Sequence, residues 1–106
     1  MAELTARDVA GWRADPTREA PVLVDVRDPW ERDICAIAGS QSLPMGVLVR
    51  RLDELPRERE LVLVCHSGLR SAMAARLLTS HGFRAHNLAG GVDAWALTVD
   101  PAMRRY

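Results

Sequence analysis

The stretch LVLVCHSGLRSAMAARLL, residues 61–78, passes from an apolar segment directly into an amphipathic one. Its first four residues form a short apolar run of the kind found in buried strands. From Ser71 to His81 apolar residues recur at helical spacing, and Gly82 stands where helices commonly end. The stretch therefore predicts a strand that ends at Cys65, then a tight loop and a helix.

Strand and helix signals alternate on both sides of this stretch. The segment TARD, residues 5–8, resembles a capping box that opens a helix, and Asp28 followed by Pro29 predicts the start of another. An apolar run predicts a further strand over residues 21–26, and residues 83–88 are a third strand candidate. Gly90 and Gly91 then lead into a short helix that carries Trp95.

The remaining segments carry weaker signals. Residues 34–44 show no clear pattern, and the tail TVDPAMRRY, residues 98–106, is expected to be irregular. Leu48, Leu52 and Leu55 fall on one helical face, so a helix is expected to run up to Pro56.

The β-α-β-α-β order with short connections predicts one α/β domain over residues 1–106, in which helices cover a parallel sheet. Ligands of such open sheets bind beyond the carboxyl ends of the strands. Because Cys65 ends one of these strands, we expect a site at that edge of the sheet to include it.

Composition narrows the range of partners. The chain has 106 residues, of which 48% are apolar, and its formal net charge is zero with no block of one sign. Nucleic acid is therefore not expected as the main partner. No apolar run reaches the roughly 18 residues needed to cross a bilayer, so no membrane association is expected. The N-terminus lacks the basic and apolar regions of a secretory signal, which favours a cytoplasmic location.

The two cysteines, Cys35 and Cys65, are too few for a disulfide framework, and neither lies in a C-x-x-C pair. The three histidines show no ligand spacing, so we expect no metal site and no cofactor. A lone cysteine at the end of a strand is often buried and inert. Whether Cys65 reacts therefore depends on the loop that follows it.

The loop after Cys65 has the composition of an anion-binding cup. The first N–H groups of the next helix have no intrahelical acceptor, and the helix dipole adds partial positive charge. Gly68 permits backbone angles that turn further N–H groups inward, and Arg70 adds a full charge. Such surroundings lower the pKa of cysteine thiols from about 8.5 to roughly 3.5–7.5. We therefore expect Cys65 to be a thiolate nucleophile.

This loop resembles the active-site loop of rhodanese-like sulfurtransferases, whose motif is a cysteine, four residues, and an arginine or lysine. Three further segments are similar to family motifs in the same order: VLVDVRDPWE (22–31), IAGSQSLPMG (37–46) and GFRAHNLAGGVDAW (82–95). Ala36 and Ala38 stand where many members have the His and first Pro of His-Ile-Pro-Gly. The resemblance implies a rhodanese-like three-layer fold, with a central, mainly parallel sheet flanked by helices.

The resemblance also implies a sulfurtransferase whose catalytic residues are Cys65 and Arg70. The Cys65 thiolate would take the sulfane sulfur of thiosulfate or of a persulfide donor and pass it to cyanide, a thiol or a protein acceptor. Arg70 would act as an electrostatic catalyst, an anion-binding group, or a tie that fixes the loop through a carboxylate. The loop residues that would bind the persulfide are His66, Ser67, Gly68, Leu69 and Ser71.

Several neighbouring residues have two interpretations each. Asp25 either supports the site or, as we favour, is a structural carboxylate with its partners satisfied. Arg27 either holds the sulfonate of a donor or forms a surface ion pair, for example with Glu31. Ser71 either binds the persulfide or caps the helix. Cys35 either packs, which we favour, or resolves the persulfide as a disulfide.

Two other functions would use the same residues. Cysteine-dependent phosphatases and arsenate reductases rely on the same physics, but the phosphatase loop has five residues between Cys and Arg, whereas four separate Cys65 from Arg70. By resemblance, the shorter loop suits one sulfur atom better than a tetrahedral oxyanion. A non-catalytic binding or sulfur-relay module is the other alternative, and the intact Cys65 and Arg70 argue against lost activity.

Overall fold

A computed structural model describes residues 1–106. Its five strands form one sheet in the order β1-β5-β4-β2-β3, and every neighbouring pair is parallel. The strands are β1 Glu3–Leu4, β2 Val22–Asp25, β3 Gln41–Ser42, β4 Glu60–Val64 and β5 Arg84–Leu88. The predicted α/β fold with a central parallel sheet is therefore confirmed, and the sheet contains two short strands that were not predicted.

Helices connect these strands. They are α1 Ala6–Ala14, α2 Pro29–Ile34, α3 Met45–Leu48, a 3₁₀ helix Val49–Glu54, α4 Leu69–Ser80 and α5 Gly91–Thr98. The two predicted N-terminal signals are present, since capping boxes are formed at Thr5 and at Asp28. No helix combines the length and the apolar composition that a membrane crossing requires.

Apolar side chains cover the sheet on both faces, which gives the three layers. On one face Val24, Leu61 and Leu63 pack with α3, the 3₁₀ helix and α4. On the other face Leu23 and Val62 pack with α1 and α5. Successive residues of each strand thus enter opposite cores, as the two-residue repeat of a strand requires.

Three local predictions differ from the structure. The edge strands β1 and β3 have two residues each, which is too short for a repeat to show in the sequence. The helix expected up to Pro56 is an α-helical turn followed by a 3₁₀ helix, with a break in helical geometry at Arg51. Helix α4 begins at Leu69 rather than near Ser71, so Arg70 and Ser71 lie in its first turn.

Candidate active site

Cys65 directly follows β4, and its thiol faces two hydrogen-bond donors. The Gly68 N–H donates to Sγ at 3.1 Å, and the Ser71 hydroxyl donates to Sγ at 3.2 Å. Cys65 is 1% exposed, so water competes little for the sulfur. Two donors aimed at one buried sulfur stabilise that atom when it carries negative charge.

Gly68 shapes the loop because its backbone has φ +100°, a left-handed conformation that side chains oppose. A Cβ atom at this position would also lie 2.9 Å from the backbone nitrogen of Gly90. The residue can therefore turn its N–H toward Sγ only as a glycine. Directly after it, the first turn of α4 brings the Ser71 hydroxyl to the same atom.

The turn at Gly90 and Gly91 leads into α5, whose first amides hold the loop that follows Cys65. The first amides of α5 donate to it, from Val92 to the Cys65 carbonyl at 2.9 Å and from Asp93 to the His66 carbonyl at 3.2 Å. A Cβ atom at Gly91 would lie 2.3 Å from the Cys65 carbonyl oxygen. The double glycine thus permits the close approach that draws these carbonyl groups toward α5.

Asn87 on β5 fixes the remaining side of the loop. Its buried side-chain amide donates to the Gly68 carbonyl at 3.1 Å and to a Glu3 carboxylate oxygen at 2.8 Å. Asn87 carries no recognisable signal in the sequence, because a lone asparagine within a short strand forms no motif. It lies shortly before the double-glycine turn, so one short stretch of chain supports the loop from two sides.

Arg70 is tied to a buried carboxylate. Its two terminal nitrogens donate to the two oxygens of Glu31, both at 2.8 Å, and Glu31 is 3% exposed. The hydrogen bonds from Arg70 lower the pKa of Glu31 to about 2, and Glu31 in turn raises the pKa of Arg70. Of the roles considered for Arg70, the structure shows the tie through a carboxylate.

Glu31 was considered only as a partner for Arg27, yet it joins three parts of the site. It accepts from the Asp28 N–H at 3.0 Å, as a capping-box residue does, and from Arg70. It also accepts from the Tyr106 hydroxyl at 2.9 Å. The local signal was its position three residues after the cap, whereas its contacts with Arg70 and Tyr106 span long stretches of chain.

The end of β2 is a closed network of charges. Asp25 accepts from Arg27 at 2.7 Å and from Arg32 at 2.8 Å. Arg27 is fully buried; its Nη2 group also donates to the carbonyl of Cys35, and its Nη1 group donates to the hydroxyl of Tyr106. This agrees with a structural role for Asp25. Arg27 lies in the interior, not in the surface ion pair that was one of its expected roles, and its donors are already engaged by protein groups.

The other predicted site residues lie around the cup without contacting the sulfur. The side chains of Ser67 and Leu69 are exposed, and the His66 ring stacks on Tyr106 with centroids 4.0 Å apart. Cys35 packs with the core on the α1 and α5 side, whereas Cys65 belongs to the opposite core. No group of three or more His, Cys, Asp and Glu side chains is placed to hold a metal ion.

Known proteins are similar to this chain in sequence. The rhodanese-like domain family matches residues 6–98. The probable adenylyltransferase/sulfurtransferase MoeZ of Mycobacterium tuberculosis is 39% identical over 106 residues, which is 97% of this chain but 26% of MoeZ. The chain therefore spans about a quarter of the length of that relative. A protein named sulfurtransferase from Allochromatium vinosum is 40% identical over 79 residues, which is 74% of each protein.

A solved structure of a related protein has the same fold as this chain. A rhodanese-related protein from Thermoplasma volcanium superposes with a TM-score of 0.85 at 26% identity, covering 93% of this chain and 94% of that one. Together with the named sulfurtransferases, this supports a sulfurtransferase or sulfur-relay role. The match over residues 6–98 shows that the chain belongs to the rhodanese-like domain family.

Proposed function

We propose that this protein is a sulfurtransferase that carries sulfur as a persulfide on Cys65. The observation that supports this most directly is the pair of donors, the Gly68 N–H and the Ser71 hydroxyl, that face the thiol. A persulfide places a second sulfur atom beyond Sγ, and donors at this end of the helix stabilise its negative charge. The same surroundings favour the thiolate that starts the reaction.

The reaction has two steps, and each is a nucleophilic attack on a sulfur atom. In the first, an electron pair of the Cys65 thiolate forms a bond to the outer sulfur of thiosulfate, the S–S bond of the donor breaks, and sulfite leaves with the electron pair of the broken bond. A persulfide donor would release its thiolate in the same way. In the second, cyanide or a thiolate attacks the outer sulfur of the persulfide, and the Cys65 thiolate is restored. Neither step needs a further oxidant or reductant.

Arg70 has a positioning role in this proposal. Its charge is balanced by Glu31, so it contributes less net charge to the sulfur than a free guanidinium would. The bidentate pair instead holds the first turn of α4 to α2, which keeps Ser71 and Gly68 in place. The Arg70 side chain remains 38% exposed, so it can also attract an anionic donor to the entrance.

We propose a thiol, or a protein that receives sulfur, as the acceptor. MoeZ is much longer than this chain, so its acceptor is not transferred by similarity alone. A protein acceptor would bring its own sulfur-accepting group to the open side of the loop, where Leu69 and Ser67 are exposed.

Intact-mass measurement after incubation with thiosulfate tests the proposal. We expect a gain of one sulfur atom, which cyanide or dithiothreitol removes and which is absent in Cys65→Ser. Cys35→Ser is the matched control and should gain the sulfur as the wild type does. Hydrolysis of an aryl phosphate with no gain of sulfur would instead identify a phosphatase. A partner captured equally by wild type and Cys65→Ser, with no gain of sulfur, would identify a binding module.

A further inference from the structure

An aromatic side chain from the tail lies against the residue that follows the nucleophile in the chain. The ring of Tyr106 stacks on the ring of His66, with centroids 4.0 Å apart and planes 14° from parallel. His66 is the neighbour of Cys65 in the chain. Trp30 meets the Tyr106 ring edge-on at 6.2 Å. A stack of two rings therefore stands beside the nucleophile.

Buried charges hold Tyr106 in this position. Its hydroxyl accepts from Arg27 at 2.9 Å and donates to a Glu31 oxygen at 2.9 Å. Arg27 is fully buried and Glu31 is 3% exposed, so both partners belong to the interior. Hydrogen bonds to charged groups are stronger than those between neutral groups. The ring is thus anchored and does not lie loosely on the surface.

The tail that carries this ring lies beyond the residues that the family model matches. The family match ends at residue 98, and residues 99–106 continue past it. Val99 and Met103 pack against the core on the α1 and α5 side and bring the tail back to the catalytic edge of the sheet. The ring that stacks on His66 therefore comes from residues beyond the family match.

We propose that Tyr106 is a specificity-determining residue that, together with His66, limits the width of molecules that reach Cys65. The proposal rests on the sulfurtransferase function proposed above. Narrow reactants such as thiosulfate, cyanide and unbranched thiols pass the two rings. A broad thiol, or a protein group that cannot extend into the loop, reacts slowly unless the tail moves aside.

Alkylation of Cys65 by reagents of two sizes tests this inference, in a Cys35→Ser background that leaves one thiol. The reagents are iodoacetamide, which is narrow, and N-(1-pyrenyl)maleimide, which is broad. In Tyr106→Ala we expect the maleimide-to-iodoacetamide ratio of rate constants to rise about tenfold, because the hydrogen bonds and the ring stack that hold Tyr106 against His66 are lost. Using the ratio removes any change in the reactivity of the thiol itself.

Two further variants complete the experiment. Tyr106→Phe keeps the ring and loses both hydrogen bonds, so its ratio should rise less than that of Tyr106→Ala. Arg104→Ala changes an exposed residue of the same tail and should leave the ratio unchanged. An unchanged ratio in Tyr106→Ala, or an equal rise in Arg104→Ala, overturns the inference. If Tyr106→Ala does not fold, a ratio in Tyr106→Phe equal to that of the wild type overturns it.

Alkylation does not require sulfur transfer, so the two proposals can fail separately. A size-dependent ratio without any gain of sulfur from thiosulfate would reject the sulfurtransferase and keep the role of Tyr106 in access. A gain of sulfur with no effect of Tyr106→Ala on the ratio would keep the sulfurtransferase and reject the role of Tyr106 in access.

Discussion

Strands β2 and β4 are neighbours in the sheet, and their ends differ in how their buried polar groups are satisfied. Asp25 at the end of β2 pairs in register with Val64, the residue before Cys65. The carboxylate of Asp25 meets two arginines, so its charge is fully balanced by protein groups. The Cys65 sulfur meets only neutral donors, from Gly68 and Ser71.

This difference separates a structural group from a reactive one. A buried charge with a complete set of partners stabilises one arrangement and has nothing left to bind. A buried sulfur that faces donors without a countercharge is stabilised further when it becomes negative, which is what nucleophilic attack requires. Glu31 connects the two regions, because it pairs with Arg70 of the catalytic loop and shares Tyr106 with Arg27.

The largest effect on stability is expected from Asp25→Ala. Arg27 would remain buried without its carboxylate, and breaking a buried pair in this way costs about 3–5 kcal/mol. Urea unfolding measures the loss. Asp33→Ala removes an exposed carboxylate nearby and should cost less than about 0.5 kcal/mol. Cys65→Ser should end sulfur transfer and destabilise the protein far less than Asp25→Ala. Equal stability of Asp25→Ala and Asp33→Ala would remove the proposed difference between the two strand ends.

The fold was largely predictable because its main elements carry local signals. The apolar runs of β2 and β4 and the caps at Thr5 and Asp28 are each readable within a few residues. The edge strands were missed because two residues show no repeat.

The site was predictable only where its parts are close in the chain. Cys65, Gly68 and Ser71 lie within one loop and one helical turn, so their proximity follows from the sequence. The contacts of Tyr106 with His66 and Arg27 join the tail to residues far earlier in the chain, and no pattern in TVDPAMRRY predicts these contacts. A surface ion pair was one of the two roles expected for Arg27, because arginines are rarely buried without partners. Its partner Asp25 is close in the chain, but its partner Tyr106 is not, and the sequence gives no sign of that contact.

An intermediate effect is expected from the pH dependence of the Glu31–Arg70 pair, which connects the two regions. Folding lowers the pKa of Glu31 from 4.5 to about 2, so the pair contributes fully above pH 4.5 and its contribution is lost as the pH falls toward 2. The contribution is at most about 3 kcal/mol. Urea unfolding at several pH values should show wild type losing more stability on acidification than Glu31→Gln.

A second glutamate provides the control for this pH dependence. Glu54 pairs with Arg51 on the surface, where water screens the charges, so Glu54→Gln should change the acid slope much less. If Glu31→Gln and wild type lose the same free energy of unfolding between pH 6 and pH 3, the Glu31–Arg70 pair does not stabilise the fold as proposed.

The smallest effect is expected from Ser71→Ala, and it acts on reactivity rather than on stability. The variant removes one of the two donors to the Cys65 sulfur, and a hydrogen bond of this kind is worth about 1 kcal/mol. The rate of alkylation by iodoacetamide at one fixed pH should therefore fall about fivefold, since 1.4 kcal/mol corresponds to a factor of ten. Ser67→Ala, which removes an exposed hydroxyl from the same loop, should leave the rate unchanged. A fall of equal size in both variants would mean that the loop as a whole, and not the donor at Ser71, controls the reactivity of the sulfur.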